Sequence, residues 1–356
     1  MVRPRKNHEE ATMNSRVTTA GPLGTRLRES SAALRVVLRV VNAGPPLILV
    51  ILVIVFGLIE PIFVTQRNIQ SVAIQSSLIG AVSLGMFLVI LTGGIDLSVG
   101  SVIALSTVLG AVAFTDLGWS PVAVVAVILA TGVVIGALNG AIYVKGRIPH
   151  SFISTLAMMG IAHGVALIIS DGLPSPGMPD IVQTLGGGYI GPFPVPALVV
   201  LVLAGIIWFA TSRLVWGQWV YAVGGNAEAA REVGIPVDRV LISVYVACGA
   251  CAAVAGLIMA GRTNSGFPMA GNLAEMDAIA GVIIGGVSFL GGRGTAVNAV
   301  IGAVIVGVIR NGLNIVGVNT FLQYVAVGCI IIMAVEIDVL RSNIESRLRA
   351  AEGRRA

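Results

Sequence analysis

Lysine is almost missing from this chain: two residues in 356, Lys6 and Lys145. Neither stands in the Gly-Lys-Ser/Thr setting of a phosphate-cradling loop, so the chain carries no Walker-type site for nucleotide cleavage. Histidine is as scarce, and His8, His150 and His163 form no pattern with cysteines or carboxylates that would make a metal or nucleophile site. Of the three cysteines, Cys248 and Cys251 have the C-x-x-C form, but no second pair or nearby histidine completes a metal site. They read instead as small residues at a helix contact. Charged residues make up 11% of the chain against 56% hydrophobic, and mean hydropathy is +0.95. That balance excludes an ordinary soluble domain.

The apolar residues come in ten runs of roughly bilayer-crossing length, which is about 20 residues per helix. They are 45–64, 68–91, 97–114, 121–143, 151–170, 195–214, 240–260, 274–290, 295–316 and 320–339. Glycines and polar residues interrupt the hairpins 68–114 and 274–316. The expected fold is an all-α membrane protein with about ten transmembrane helices over 45–340. A cytoplasmic tail covers 1–44 and a second one 341–356. Charge orients the chain: if the N-terminal tail is inside, 19 basic residues fall inside, only Arg67 and Arg262 outside, and Arg310 within a span. The net charge of +5 thus reflects topology, with no nucleic-acid partner expected. No cleavable signal peptide is expected, because the first apolar run starts near Pro45 behind a long basic tail. Within that tail, 25–42 reads either as a helix lying on the lipid surface or as a solvated basic segment.

One polar helix stands between two apolar runs, in 217–236 (GQWVYAVGGNAEAAREVGIP). Gly225 or Asn226 can cap its start, and Glu228 in its first turn favours the positive end of the helix dipole. Gly234 suits the left-handed position after the helix, and Pro236 stops continuation. Glu228-Ala229-Ala230 followed by Gly234 resembles the EAA…G signature of ATP-binding-cassette importer permeases. The resemblance implies a cytoplasmic coupling helix that docks on an ATPase, with Asn226, Glu228, Ala229, Ala230, Arg231 and Gly234 at the contact.

The stretch 91–101 (LTGGIDLSVGS) breaks the second hairpin with paired glycines and Asp96. A carboxylate deep in the bilayer costs about 2.5–3.5 kcal/mol and calls for a partner or a wet route. Asp96 therefore either lines a route or caps the next helix. TGGIDLSVGS resembles the hallmark of permeases in the ribose/xylose/galactose branch of sugar importers. So do IGALNGAIYVKGRIPHSFISTLAMMG (135–160), AEMDAIAGVIIGGVSFLGGRGT (274–295) and RNGLN (310–314). His150-Ser151 departs from the branch's Pro-Phe-Ile-Val-Thr-Leu order.

This resemblance implies a type II-like importer permease that moves a monosaccharide, or alternatively a nucleoside or autoinducer-type furanose. It implies a second copy of the chain, ATPase subunits that use the ATP, and a periplasmic or lipid-anchored binding protein. No cofactor is expected on this chain. Polar groups in the spans are the candidate route: Asp96, Ser98, Asn139, Ser154, Thr155, Asn298, Asn311 and Asn314; the alternative for the neutral groups is that they join helices. Glu275 and Asp277 either meet the binding protein or solvate a helix end. An ion-driven carrier would show more buried charge along its route and would leave the polar helix unexplained. The setting expected is a bacterial inner membrane, with both termini cytoplasmic. A gap-free echo between 93–112 and 285–304 is consistent with a parallel repeat.

Overall fold

The computed structural model describes residues 44–353, with side chains to 340 except residue 337. The segment 25–42 lies outside the described residues.

Apolar runs become helices because the bilayer leaves a backbone no other donors and acceptors. In chain order they are α1 (Gly44–Ile59), α2 (Gln66–Leu91), α3 (Val99–Thr115), α4 (Pro121–Lys145), α5 (Ser151–Ser170), α6 (Asp180–Gly187), α7 (Val195–Arg213), α8 (Val215–Gly225), α9 (Ala227–Glu232), α10 (Val237–Thr263), α11 (Ala274–Ile284), α12 (Ala296–Ile315) and α13 (Thr320–Gly353). A 3₁₀ turn, Pro61–Val64, follows α1. Two antiparallel pairs of two-residue strands, Ser175–Pro176 with Ser265–Gly266 and Tyr189–Ile190 with Phe193–Pro194, tie down the loops around α6.

All ten apolar runs correspond to helices, and seven of these are long and apolar enough to cross a membrane. Three are shorter. α1 has 16 residues, α3 has 17 and α11 only 11. At 1.5 Å per residue, α11 rises about 16 Å, roughly half of a bilayer core. The run expected to continue to residue 290 stops at Ile284, because Gly286 (φ 94°) takes the left-handed conformation. Gly286 N–H then bonds Ile283 O (2.9 Å) and Val287 N–H bonds Val282 O (3.2 Å), a Schellman end. Residues 285–294 fold back as a loop against the helix bundle.

The helices α2 and α10 form the centre. Of their apolar windows 83% and 61% are buried, against 28% for α4, α5 and α7. The contact between α4 and α10 is made by glycines four residues apart, Gly132, Gly136 and Gly140. A Cβ at Gly132 would overlap the Gly249 carbonyl, and one at Gly140 would lie 2.8 Å from Ile242 Cα. Such close backbones let van der Waals packing hold helices where no hydrophobic force does. Gly132→Ala is expected to cost about 1–3 kcal/mol through overpacking, seen as a lower Tm of the detergent-solubilised protein. Cys248 and Cys251 are buried free thiols on α10; at the facing Gly85 of α2, a Cβ would lie 2.9 Å from Cys251 Cβ.

One end of the bundle gathers the α2–α3 and α4–α5 turns, the α7–α10 connection and the α11–α12 loop. Lys145, Arg147, Arg213, Arg231, Arg239 and Arg293 belong to these segments. The opposite end carries Asp116, Asp171 and Asp180, with Met178 N–H bonded to Asn264 Oδ1 (2.9 Å).

Candidate functional site

The short helix α9 is built by its caps. Asn226 Oδ1 accepts from Ala229 N–H at 3.0 Å, so the cap is Asn226 and not Gly225. Gly234 (φ 88°) closes the far end, with its N–H on Arg231 O (3.1 Å) and Ile235 N–H on Ala230 O (3.0 Å). Ala230 is buried and anchors the helix, while Glu228, Ala229, Arg231, Glu232 and Val233 face outward. The pair Arg231–Asp238 (3.0 Å) is exposed and contributes little to stability. The exposed face is thus charged at its start and apolar at Val233, which is 78% exposed.

The last turn of α8, which leads into α9, meets the end of α2 at Leu91 O, where the α2–α3 turn, residues 92–98, begins. Two residues of α5 hold its backbone: Ser151 Oγ accepts from Ile95 N–H (3.1 Å) and Thr155 Oγ1 from Leu97 N–H (3.2 Å). Asp96 is 1% exposed. Its Oδ1 accepts from Ser98 N–H (2.9 Å) and Ser98 Oγ (2.6 Å). Asn139 Nδ2 of α4 donates to Ser98 Oγ (2.8 Å) and reaches Asp96 Oδ2 at 3.5 Å. The turn is therefore fixed from two helices, and Asp96 sits where α3 begins, at the end of the bundle that carries α9. Ser154 Oγ, also buried, donates to Ser151 O (2.8 Å).

Beside this turn runs the loop 285–294. Its chain closes on itself through Ser288 N–H to Arg293 O (3.0 Å). Asp338 of α13, buried, accepts from Phe289 N–H (3.0 Å) and Ser288 Oγ (3.4 Å). Gly292 N–H donates to Leu91 O (2.8 Å), joining the loop to the end of α2. Thr295 caps α12, its Oγ1 accepting from Asn298 N–H (3.2 Å), and Asn298 Nδ2 donates to Gly285 O.

The remaining candidates lie apart from this cluster. Asn311 Oδ1 accepts from Asn68 Nδ2 (2.9 Å), and Asn314 is exposed one turn on. Glu275 and Asp277, on α11, are both buried, with relative exposures of 8% and 9%. Asp277 Oδ1 receives Arg310 Nη2 (2.7 Å) and Nε (3.0 Å), and the guanidinium lies 5.7 Å from the Tyr324 ring centroid. The structure thus unites Asp96, Ser98, Asn139, Ser154 and Thr155 at one end, sets Asn298 against the neighbouring loop, and places Asn311 and Asn314 elsewhere. Sequence reasoning passed over Asp338 and Tyr221; the signal for the former was a pair of carboxylates, Glu336 and Asp338, at the end of an apolar run. Ser151, noticed only as a departure, bonds the backbone of the turn.

A helix bundle with short and interrupted spans and a separately capped surface helix is an architecture that membrane transport components use. Residues 68–335 match the family described as branched-chain amino acid transport system / permease component, and the chain belongs to that family of membrane permeases. Among its relatives, the ribose import permease of Bacillus subtilis (strain 168) is 40% identical over 301 residues, 84% of this chain and 93% of that protein. The ribose import permease of Escherichia coli (strain K12) is 40% identical over 298 residues, 82% and 91% respectively. The D-allose transport system permease of Escherichia coli (strain K12) is 40% identical over 304 residues, 84% and 92%. No solved structure matches the chain at a significant level.

Proposed function

We propose that this chain is the membrane permease of an ATP-driven, binding-protein-dependent importer of a monosaccharide. The observation that carries the reading is the 40% identity, over 82–84% of this chain and 91–93% of each relative, to ribose and allose permeases. That likeness outweighs the amino-acid wording of the broader family description, because it is closer and extends over more of the chain.

In this reading the end rich in arginine faces the cytoplasm, as the positive-inside rule requires. The helix α9 docks there on a separate ATPase through Asn226, Glu228, Ala229, Ala230, Arg231 and Gly234. Two copies of the chain enclose the route, and a binding protein delivers sugar to the opposite end. Closure of the ATPase pair on ATP moves α9, the spans follow, and the sugar passes inward. ATP stays with the partner subunit. Neutral polar groups suit an uncharged, hydroxyl-rich cargo that must be held weakly enough to leave; Asn139, Ser154 and Thr155, buried and bonded around the 92–98 turn, would meet it only when that turn moves.

Gentle affinity purification from the native inner membrane, with mass spectrometry of the eluate, tests this. An ATP-binding-cassette ATPase is expected with the tagged chain and is expected to be lost with Gly234→Asp, whose side chain would force an L residue into φ 88°. A stably inserted chain that elutes alone and takes up solute on an ion gradient would overturn the reading.

A further inference from the structure

We propose that the last turn of α8, through Gly224 and Tyr221, is the joint that passes movement of α9 to both central loops at once. The proposal rests on the importer reading and names the residues that would make it work.

Only Asn226 separates α8 from α9. Its N–H bonds Ala222 O of α8 (3.0 Å), while its side chain caps α9. The two helices are therefore bonded through one residue, and α9 cannot shift without carrying the end of α8. That end meets other backbone directly. A Cβ at Gly224 would overlap the Leu91 carbonyl and lie 2.8 Å from Gly292 N. A Cβ at Gly291 would lie 3.0 Å from Gly224 O and 3.1 Å from Gly93 N; one at Gly292 would lie 3.1 Å from Gly225 Cα. Three glycine turns, from 91–94, 224–225 and 291–292, thus stack main chain on main chain. The Gly292 N–H to Leu91 O bond (2.8 Å) closes the stack. Tyr221, one turn back on α8, donates its hydroxyl to Gly294 O at 2.7 Å.

Backbone contact of this kind has no rotamers to absorb a displacement. A push on α8 must move both loops or break the bond between them. Each loop is in turn fastened to other helices. The 92–98 turn is held by Ser151 and Thr155 of α5 and, through Ser98, by Asn139 of α4. The 285–294 loop is held by Asp338 of α13. The joint therefore connects α9 to α4, α5 and α13 by a contiguous set of hydrogen bonds and close contacts, the physical basis that coupling between distant sites needs. The contact sites disfavour L side chains: a Cβ at Gly224 would overlap the Leu91 carbonyl, and Gly291 and Gly292 hold positive φ (86° and 70°).

The test uses the complete transporter, permease with its ATPase and binding protein, in proteoliposomes with ribose as the probe. Two variants are compared: Gly224→Ala, which inserts a methyl into the stack, and Tyr221→Phe, which removes one hydroxyl and leaves the ring. Both assemble with the ATPase and hydrolyse ATP within twofold of the parent, as expected of a joint that lies outside the docking face. Sugar moved per ATP falls at least tenfold with Gly224→Ala and about threefold with Tyr221→Phe. An unchanged ratio in Tyr221→Phe together with an unchanged ratio or a failure to assemble in Gly224→Ala overturns the joint. Equal loss of hydrolysis and uptake in both would also overturn it, since that is a docking defect. A parent complex that takes up neither ribose nor allose with ATP would instead count against the importer reading itself.

Discussion

Arg310→Ala is expected to remove most of the folded protein from the membrane. Arg310 on α12 gives two N–H groups to Asp277 Oδ1 on α11, and both side chains are largely enclosed, at 21% and 12% exposure. Truncating the arginine leaves a carboxylate in a low-dielectric site without its counter-charge, a loss of about 3–5 kcal/mol. A typical domain has about 5–15 kcal/mol in total. The effect is enlarged here by α11, whose 11 residues are too few to hold themselves across a bilayer. The Tyr324 ring of α13 loses its cation as well. Thermal unfolding by fluorescence-detected size exclusion measures this. The double variant Asp277→Leu/Arg310→Met removes both charges and is expected to recover most of the lost stability, since apolar replacement of a buried pair is often neutral. Uptake by the double variant separates two roles for Asp277. Retained uptake assigns Asp277 to holding α11 and α12 together. A folded double variant without uptake assigns it to the binding-protein contact expected from its place near a helix end.

What the sequence made legible was what is local. The caps of α9 are written in Asn226, Gly234 and Pro236, each within a few residues of the bond it makes, and the spans are written in runs of apolar residues. The end of α11 was less visible. Hydropathy continues through Val287, Phe289 and Leu290, and nothing in that measure registers the left-handed turn that Gly286 permits. Pairings over long distances were not legible at all. Asp277 and Arg310 were each conspicuous, one near an outer end and one alone in a span, yet only the packing of α11 on α12 shows them as a pair. The same holds for Asp96 and Asn139, which are 43 positions apart. Tyr221 and Asp338 bond main-chain groups of a loop, and a backbone acceptor or donor has no signature in the side chains that surround it.

Asp96→Ala and Asp96→Asn are expected to differ sharply, and the difference decides what the buried carboxylate is for. Alanine removes both oxygens. Ser98 N–H loses its acceptor at 2.9 Å, and the Ser98 hydroxyl loses the one it reaches at 2.6 Å. Each orphaned buried group costs about 1–3 kcal/mol, and the turn that carries Leu91 and Gly93 loses the bonds that organise it. Asparagine keeps Oδ1 and with it both Ser98 bonds. Its new amide group would face the Asn139 amide, but Asn139 Oδ1 has no partner among the described residues. Turning the Asn139 amide over sets that oxygen against the new donor and exchanges the Asn139 Nδ2 donation to Ser98 Oγ (2.8 Å) for the new bond, while the Ser98 hydroxyl keeps Oδ1 as its acceptor. The alanine variant is therefore expected to fold poorly, and the asparagine variant to melt within a few degrees of the parent. Sugar uptake is then measured on the asparagine variant at matched protein levels. Uptake within threefold of the parent means that Asp96 works by hydrogen bonding, holding the turn between α2 and α3 in register with Asn139 and Ser151. A well-folded asparagine variant with uptake reduced more than tenfold means that the negative charge itself is used during transport, and Asp96 then belongs to the route and not to its frame.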